Sequence, residues 1–348
     1  MHNSNFIIQT IGDPHIGKQF KNNVPKDKLG IRESSVFNDF KNLLDSPSNV
    51  IVICGDLFDK TNIDNSTLLN CISTLEHYCN LNPKTSYFIL AGNHDLTKNT
   101  SIKSSFDVLV KYFNTNKRSN LTIVSDSIVV KKSDIFKINL IFCPYFPIED
   151  KADYSSYIKK DYKNIIFGHW EVTDFNSISE SSKYTSNVIP SCLFDNDNLI
   201  VTGHEHLPKH IKKDNYEILV TGSLQPYSHA EVLEGESLYV THTCQEVIQN
   251  IETNIKFYSN SNLRVLLSID DVVPDLKNNY LSLSYKYINN KIQEEVSEES
   301  IEEPSSPLSF SDMFYSYLKN NTSDINKYIE QTYLNKDYSE WKFKHESN

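Results

Sequence analysis

Residues 199–206 read LIVTGHEH: four β-forming residues, a glycine, and two histidines with one residue between them. Such a run predicts a buried strand that ends in a glycine turn. The pattern recurs in FIIQTIGDPH (6–15), NVIVICGDLFD (49–59), TSYFILAGNHD (85–95), NIIFGHW (164–170), NLIVTGHEH (198–206) and YEILVTGSLQP (216–226). Of nine glycines in the chain, six (Gly12, Gly55, Gly92, Gly168, Gly203 and Gly222) hold this one position. Glycine permits positive φ and close backbone approach, so six strand ends are expected to converge on something small. Between the strands, TLLNCISTLEHYC (67–79) and SSFDVLVKYF (104–113) place apolar residues at three- and four-residue spacing, as helices do. Strands alternating with helices make the fold α/β, with the loops gathered at one end of the sheets.

The converging loops deliver Asp13, His15, Asp56, Asn93, His94, His169, His204 and His206. Carboxylate oxygen, amide oxygen and imidazole nitrogen together suit two divalent cations, with one carboxylate bridging ions roughly 3.5–4 Å apart. Residues i and i+2 of an extended chain share a side, which pairs Asp13 with His15 and His204 with His206. A single loop histidine signifies little, but five at or just after glycine turns form a set. His2, His77, His210, His229, His242 and His345 lack that context.

Composition sets the outer bounds. At 348 residues, 39% hydrophobic and 23% charged, the chain can bury a large core. No run approaches the roughly 18 apolar residues of a membrane helix, and MHNSNFIIQTIG has no basic leader or cleavage site, so a cytoplasmic protein without a membrane anchor is expected. Cys54, Cys71, Cys79, Cys143, Cys192 and Cys244 are scattered without a CxxC pair and read as reduced thiols. The net charge of −11 argues against a surface that coats polyanions. Two basic stretches nevertheless directly follow motif loops, KQFKNNVPKDKLGIR (18–32) and PKHIKK (208–213). Basic runs are most often solvated faces.

GDPH, GDLFD, GNHD, GHW and GHEH, in this order, resemble the five signature blocks of the calcineurin-like metallophosphoesterases. GDLFD after NVIVIC, CPYFP (143–147), GHWE, and GHEH followed by GSLQPYS resemble more narrowly the SbcD-type double-strand-break repair nucleases, among them the recombination endonuclease subunits of tailed phages. The resemblance spans residues 6–235. It implies a β-sandwich flanked by helices over 1–240, a small accessory domain over 241–290, and a C-terminal helical segment over 308–348. It further implies one metal ion on Asp13, His15, Asp56 and His206 and another on Asp56, Asn93, His169 and His204, with Asp56 bridging. Manganese is the expected ion and magnesium the alternative. His94 is the candidate catalytic group, binding a phosphoryl oxygen or protonating the leaving oxygen, with orientation of Asn93 or Asp13 as its other possible role. Asp59 and Lys60 close GDLFDK where many cellular relatives carry a histidine and phosphoprotein phosphatases an arginine, so Asp59 is left without a role.

The activity implied is metal-dependent DNA exo- and endonuclease action in a complex with an SbcC-like ATPase, in the cytoplasm, or the host cytoplasm for a viral chain. A homodimer through 67–79 and 104–113 is implied as well. A phosphatase acting on phosphoprotein or small nucleotides is the alternative. GDLFDK lacks the phosphate-clamping arginine, GNHD stands for GNHE, and more than a hundred residues follow GHEH, all of which count against it. A non-catalytic scaffold would not need eight intact site residues.

Beyond the sandwich, ESLYVTHTCQEV (236–247), NIKFYS (254–259), LRVLLSI (263–269) and YLSLSYKYI (280–288) alternate as strands. KIQEEVSEESIEEPSSP (291–307) carries six glutamates against one lysine and reads as a solvated linker. After it, Phe310, Met313, Phe314, Tyr317 and Leu318 form one helical stripe, and Ile325, Tyr328, Ile329 and Tyr333 a second, with Ser323 as N-cap. Separation from the core by an acidic tether marks this pair as partner-binding.

Overall fold

The computed structural model describes residues 6–99, 101–146, 153–172, 187–233 and, apart from 236, 255, 269 and 273, residues 235–288. These belong to one compact unit, Met1–Asn289. The acidic stretch 291–307 and the two stripes expected after it, including Phe310, Met313, Phe314, Tyr317 and Leu318, lie outside the described residues.

Two stacked sheets form the body. Strands β1 (Ile8–Ile11), β2 (Val50–Ile53), β3 (Ser86–Leu90) and β4 (Leu121–Val124) run parallel in that order. The second sheet takes the order β5 (Val129–Ser133), β6 (Ile138–Phe142), β7 (Lys163–His169), β8 (Asn198–Gly203), β10 (Tyr216–Val220), β9 (Lys209–Lys212). Its four inner strands are parallel, and β5 and β9 are antiparallel edges. Helices α1 (Ile31–Leu44), α2 (Asn65–Leu81) and α3 (Ser105–Thr115) flank the first sheet.

The continuous apolar runs are explained by burial on both faces. Alternate residues of β2 and the turn after it, Val50, Val52 and Cys54, pack between the sheets with Phe88, Leu90, Leu140, Phe142, Phe167 and Val201. Ile51 and Ile53 face the helices, among Phe40, Leu44, Leu75 and Phe106. The interlayer core is centred on an aromatic column, with Phe88 stacked on Phe142 at 3.9 Å between centroids and Phe142 on Phe167 at 5.1 Å. Because the parallel strands of both sheets carry their loops at their C-terminal ends, the glycine turns after β1, β2, β3, β7 and β8 meet at one edge.

A third, parallel sheet, β11 (Tyr239–Thr243), β12 (Asn262–Leu267) and β13 (Ser282–Tyr287), has its own core of Val247, Tyr258, Leu263, Val265 and Leu267. Here the strand expectation needs correction. CQEV begins helix α4 (Cys244–Asn254), which crosses from β11 to β12, and of NIKFYS the first residue ends that helix while 256–259 form turn rather than strand. Thr243 and Glu246 close the helix start, Glu246 N donating to Thr243 Oγ1 at 3.3 Å and Thr243 N to Glu246 Oε2 at 2.7 Å. The T-x-x-E box that signals this start was present in the sequence.

The two basic stretches are largely committed to the fold. PKHIKK contributes edge strand β9, where Lys209 pairs with Glu205 and His210 with Glu217 at 2.7 Å; charged edges discourage pairing with other chains. In the stretch 18–32, Lys28 Nζ donates to the carbonyls of Tyr280 (2.7 Å) and Ser259 (3.4 Å) in the accessory part. Leu283 N donates to Asn23 O at 3.1 Å. Arg32, on α1, is buried and donates to Gln225 Oε1 and to Pro226 O (2.9 Å). This segment is a strap that ties the third sheet to the body. Among the described residues, no helix is long and apolar enough to cross a membrane.

Candidate metal centre

Each expected site residue sits at or just past a strand end, and the structure brings all eight, the seven expected ligands and His94, together. Four of them occupy left-handed backbone: Asp13 (φ 30°), His15 (φ 45°), Asp56 (φ 47°) and His204 (φ 82°). Non-glycine residues hold such φ values only where their surroundings over-determine them, and these positions cluster at functional sites. Asp13 and His15 therefore converge through tight turns, not through the extended i, i+2 geometry read from the sequence. Glycine is required beside them. A Cβ on Gly55 would lie 2.2 Å from His169 Nδ1, and one on Gly92 2.2 Å from both the backbone nitrogen and Oδ1 of Asp56.

Asp56 lies at the middle. Its Oδ2 is 3.9 Å from His15 Nε2 and 3.3 Å from His169 Nε2, while Oδ1 accepts the His94 amide at 2.8 Å. On one side, His15 Nε2 and His206 Nε2 are 3.0 Å apart. On the other, Asn93 Oδ1 is 2.8 Å from His169 Nε2 and 3.0 Å from His204 Nδ1. Asp13 takes the His204 amide on both oxygens, at 3.1 and 2.9 Å, and its Oδ1 is 3.5 Å from His169 Nδ1. Its carboxylate thus contacts His169 and His204 rather than His15, with which the sequence spacing paired it. Ligand atoms of Asp13, Asp56 and His169 fall within 4.8 Å of one another, as do those of His15, Asp56 and His94.

The electrostatics favour positive charge here. Burial, reinforced by Asp56 against the pull of His169, pushes the Asp13 carboxyl up to about 7. Burial would raise Asp56 too, but the charge and hydrogen bond of His169 hold it well below the usual carboxylate range. Burial alone would lower His169; Asp56 and Asp13 instead raise it to about 9. A proton on this fully buried ring, held against Asp56, marks how strongly the spot attracts a cation. Burial keeps His15 down at about 3 and, with His169 beside it, His204 at about 4. Both are therefore neutral at physiological pH, the form in which an imidazole ligates metal.

The donor set fits divalent ions in its proton inventory as well. A carbonyl or carboxylate can only accept, so His169 Nδ1 donates to Cys54 O at 2.9 Å and His206 Nδ1 to Glu231 Oε1 at 3.2 Å. In its neutral form His206 then turns a bare Nε2 inward, while Asn93 Oδ1, which can only accept, takes protons from His169 Nε2 at 2.8 Å and His204 Nδ1 at 3.0 Å, protons that bound cations would displace. His94 differs: its Nδ1 donates to Asp59 O at 2.5 Å and its ring is exposed at the rim. The Asp59 side chain pairs with Lys18 at 3.1 Å and comes within 3.8 Å of His15 Nδ1, behind the inward-facing donors.

Three supporting residues escaped the sequence reading. Asp95 closes GNHD and accepts from the amides of Phe58 (2.9 Å), Gly92 (2.9 Å) and Leu57 (3.1 Å), stitching the loop after β3 to the loop after β2. Its place in the motif was the available signal. Tyr227 stood within GSLQPYS without a role assigned to it, and Glu231, far along the chain, gave no signal.

An α/β sandwich with carboxylate, amide and imidazole donors gathered at its loop edge defines a metal-dependent hydrolase of phosphate esters. The chain belongs to the calcineurin-like phosphoesterase family, which it matches over residues 8–208. Its structure is similar to that of a dimetal phosphatase from Danio rerio, at 8% identity and TM-score 0.35, covering 63% of this chain and 88% of that one. It is similar also to GAP50, the anchor in the inner membrane complex of Plasmodium, at 14% identity and TM-score 0.39, covering 66% and 75%. No curated protein sequence matches it.

Proposed function

We propose that this phosphoesterase is a DNA nuclease, the exo- and endonuclease subunit of an SbcCD-like complex that processes double-strand breaks and recombination intermediates. The observation that carries the hydrolytic part is Asp56 Oδ2 facing His15 on one side and His169 on the other. Asp13, His15, Asp56 and His206 would hold one ion, and Asp56, Asn93, His169 and His204 the second, with manganese suiting this mixed set better than magnesium alone. Bound there, the ions would supply hydroxide near neutral pH and would neutralise charge developing on the phosphoryl oxygens. The chain's own residues do the rest. Backbone amides fix both aspartates, and His94, its Nδ1–H anchored to Asp59 O, turns Nε2 to the substrate, where the doubly protonated ring can deliver a proton to the leaving oxygen and become neutral.

DNA as substrate is supported by the narrower resemblance carried by GDLFD after NVIVIC, CPYFP, GHWE and GHEH followed by GSLQPYS, and by the strap from Lys18 to the third sheet, on which Lys21 and Lys26 stand exposed. Exposed Leu69, Ile102 and Val108, on and just before the helices α2 and α3, support pairing with a second copy of the chain. The ATPase partner is assigned to the stripe from Phe310 to Leu318.

The test is incubation of purified protein with end-labelled duplex DNA, circular single-stranded DNA and a chromogenic phosphodiester, with manganese and with chelator. Cleavage of DNA that chelator abolishes is expected. Vigorous hydrolysis of phosphoserine peptides without DNA cleavage would replace this reading with the phosphatase one. Deleting everything after Glu303 should leave metal-dependent cleavage of single-stranded DNA intact and abolish co-purification with the ATPase; a truncated chain that precipitates instead would sink the partner assignment.

A further inference from the structure

Beyond residue 208, where the family match ends, the segment 223–231 closes over the metal centre from outside. Ser223 N donates to His206 O at 3.0 Å. Tyr227 Oη, almost fully buried, donates to the carbonyls of Pro14 (2.6 Å) and Asp13 (3.2 Å), pinning the GDPH turn. Glu231 is the anchor of this segment. Its Oε2 accepts the Tyr227 amide at 2.8 Å, and its Oε1 accepts the Ser228 hydroxyl at 3.0 Å and faces His206 Nδ1 at 3.2 Å.

We infer that Glu231 is the positioning residue of the metal centre, fixing both the ring plane and the tautomer of His206. This rests on the reading of His206 as a ligand. A neutral histidine free in water prefers its proton on Nε2. To serve as a ligand that nitrogen, which faces His15 Nε2 at 3.0 Å, must be bare, and an acceptor at Nδ1 is what moves the proton to the outer side. Two hydrogen bonds from Tyr227 and Ser228 hold the carboxylate, so its direction is set before any ligand arrives. Because Tyr227 also grips Asp13 and Pro14, one short segment aligns ligand-bearing turns that are 191 residues apart in sequence.

The readouts are manganese affinity, by electron paramagnetic resonance titration without DNA, and the His206 tautomer, by nitrogen-15 NMR of metal-free protein at alkaline pH. Wild type should bind manganese and show His206 protonated on Nδ1. Glu231→Ala should bind about 10–100-fold more weakly and shift His206 to the Nε2–H form. Glu231→Gln, which keeps an acceptor oxygen without the charge, should retain the Nδ1–H form. A loss of charge acting only through space would weaken affinity without moving the tautomer, and that result overturns the inference, as does an Nε2–H ring in wild type. Should Glu231→Ala fail to fold, the wild-type and Gln tautomers decide. Wild-type protein that binds no manganese would instead overturn the metal-centre reading itself.

Discussion

Gly92→Ala is the smallest change that should disable the centre. The added methyl carbon would lie 2.2 Å from both the Asp56 nitrogen and Asp56 Oδ1, whereas ordinary contact begins at 3.4 Å. The carboxylate must therefore retreat by about 1 Å, and its backbone, buried under Leu57 and Phe58, has little room to follow. That retreat breaks the bond from the His94 amide to Oδ1 and moves Oδ2 relative to His15 and His169 together. A misplacement of this size costs on the order of 100-fold in turnover, and the overpacking costs about 1–3 kcal/mol of stability. Turnover of a chromogenic phosphodiester with manganese, a manganese titration and a metal-free melt separate the two effects. Gly235→Ala is the control for turnover alone: nothing lies within 4 Å of its added methyl, and although its φ of 88° strains an alanine and lowers the melt, it should leave turnover unchanged. Near-wild-type turnover in Gly92→Ala would show that Asp56 does not need its present position.

His94→Gln should keep manganese binding and lose about 10²–10⁴-fold in turnover, measured on the same diester; an undiminished rate would leave His94 only a role in orienting its neighbours. Phe142→Ala removes the middle ring of the aromatic column from a fully buried site and should cost about 3–5 kcal/mol in urea denaturation. Ser104→Ala breaks the capping box with Asp107 at the start of α3 and should cost about 1 kcal/mol, with no change in manganese affinity.

The sandwich was readable because its strands are buried on both faces and end on glycine, two local signals that need no knowledge of the fold. The same signals named the eight site residues, since parallel strands place their loops at a shared edge. What sequence could not supply was conformation beyond the strand ends. Asp13 and His15 looked extended, yet their left-handed φ values follow from contacts with turns elsewhere in the chain. Glu231 and Tyr227 act across 213 residues or from within an irregular loop, where no period exists to detect. The alternation of YVTHT ran on into CQEV and hid the start of α4, although the Thr243–Glu246 box marked it. The basic strap showed its charge but not its partners: Lys28 and Arg32 spend theirs on backbone and amide oxygens inside the molecule.

The donors come from both layers of the sandwich. Asp13, Asp56 and Asn93 follow strands of the first sheet, His169 and His204 those of the second. An ion shared among them would be a cross-link between layers otherwise joined by packing and a few hydrogen bonds such as that from His169 to Cys54 O, in the manner of a rivet. Its grip and the closeness of the two sheets are then one thermodynamic quantity: at a free concentration 100 times its dissociation constant, a ligand of the folded state adds about 2.7 kcal/mol to stability. Heat resistance of the whole molecule would accordingly track the supply of metal, and a mutation deep in the aromatic column would be felt as a metal-binding defect at the far edge.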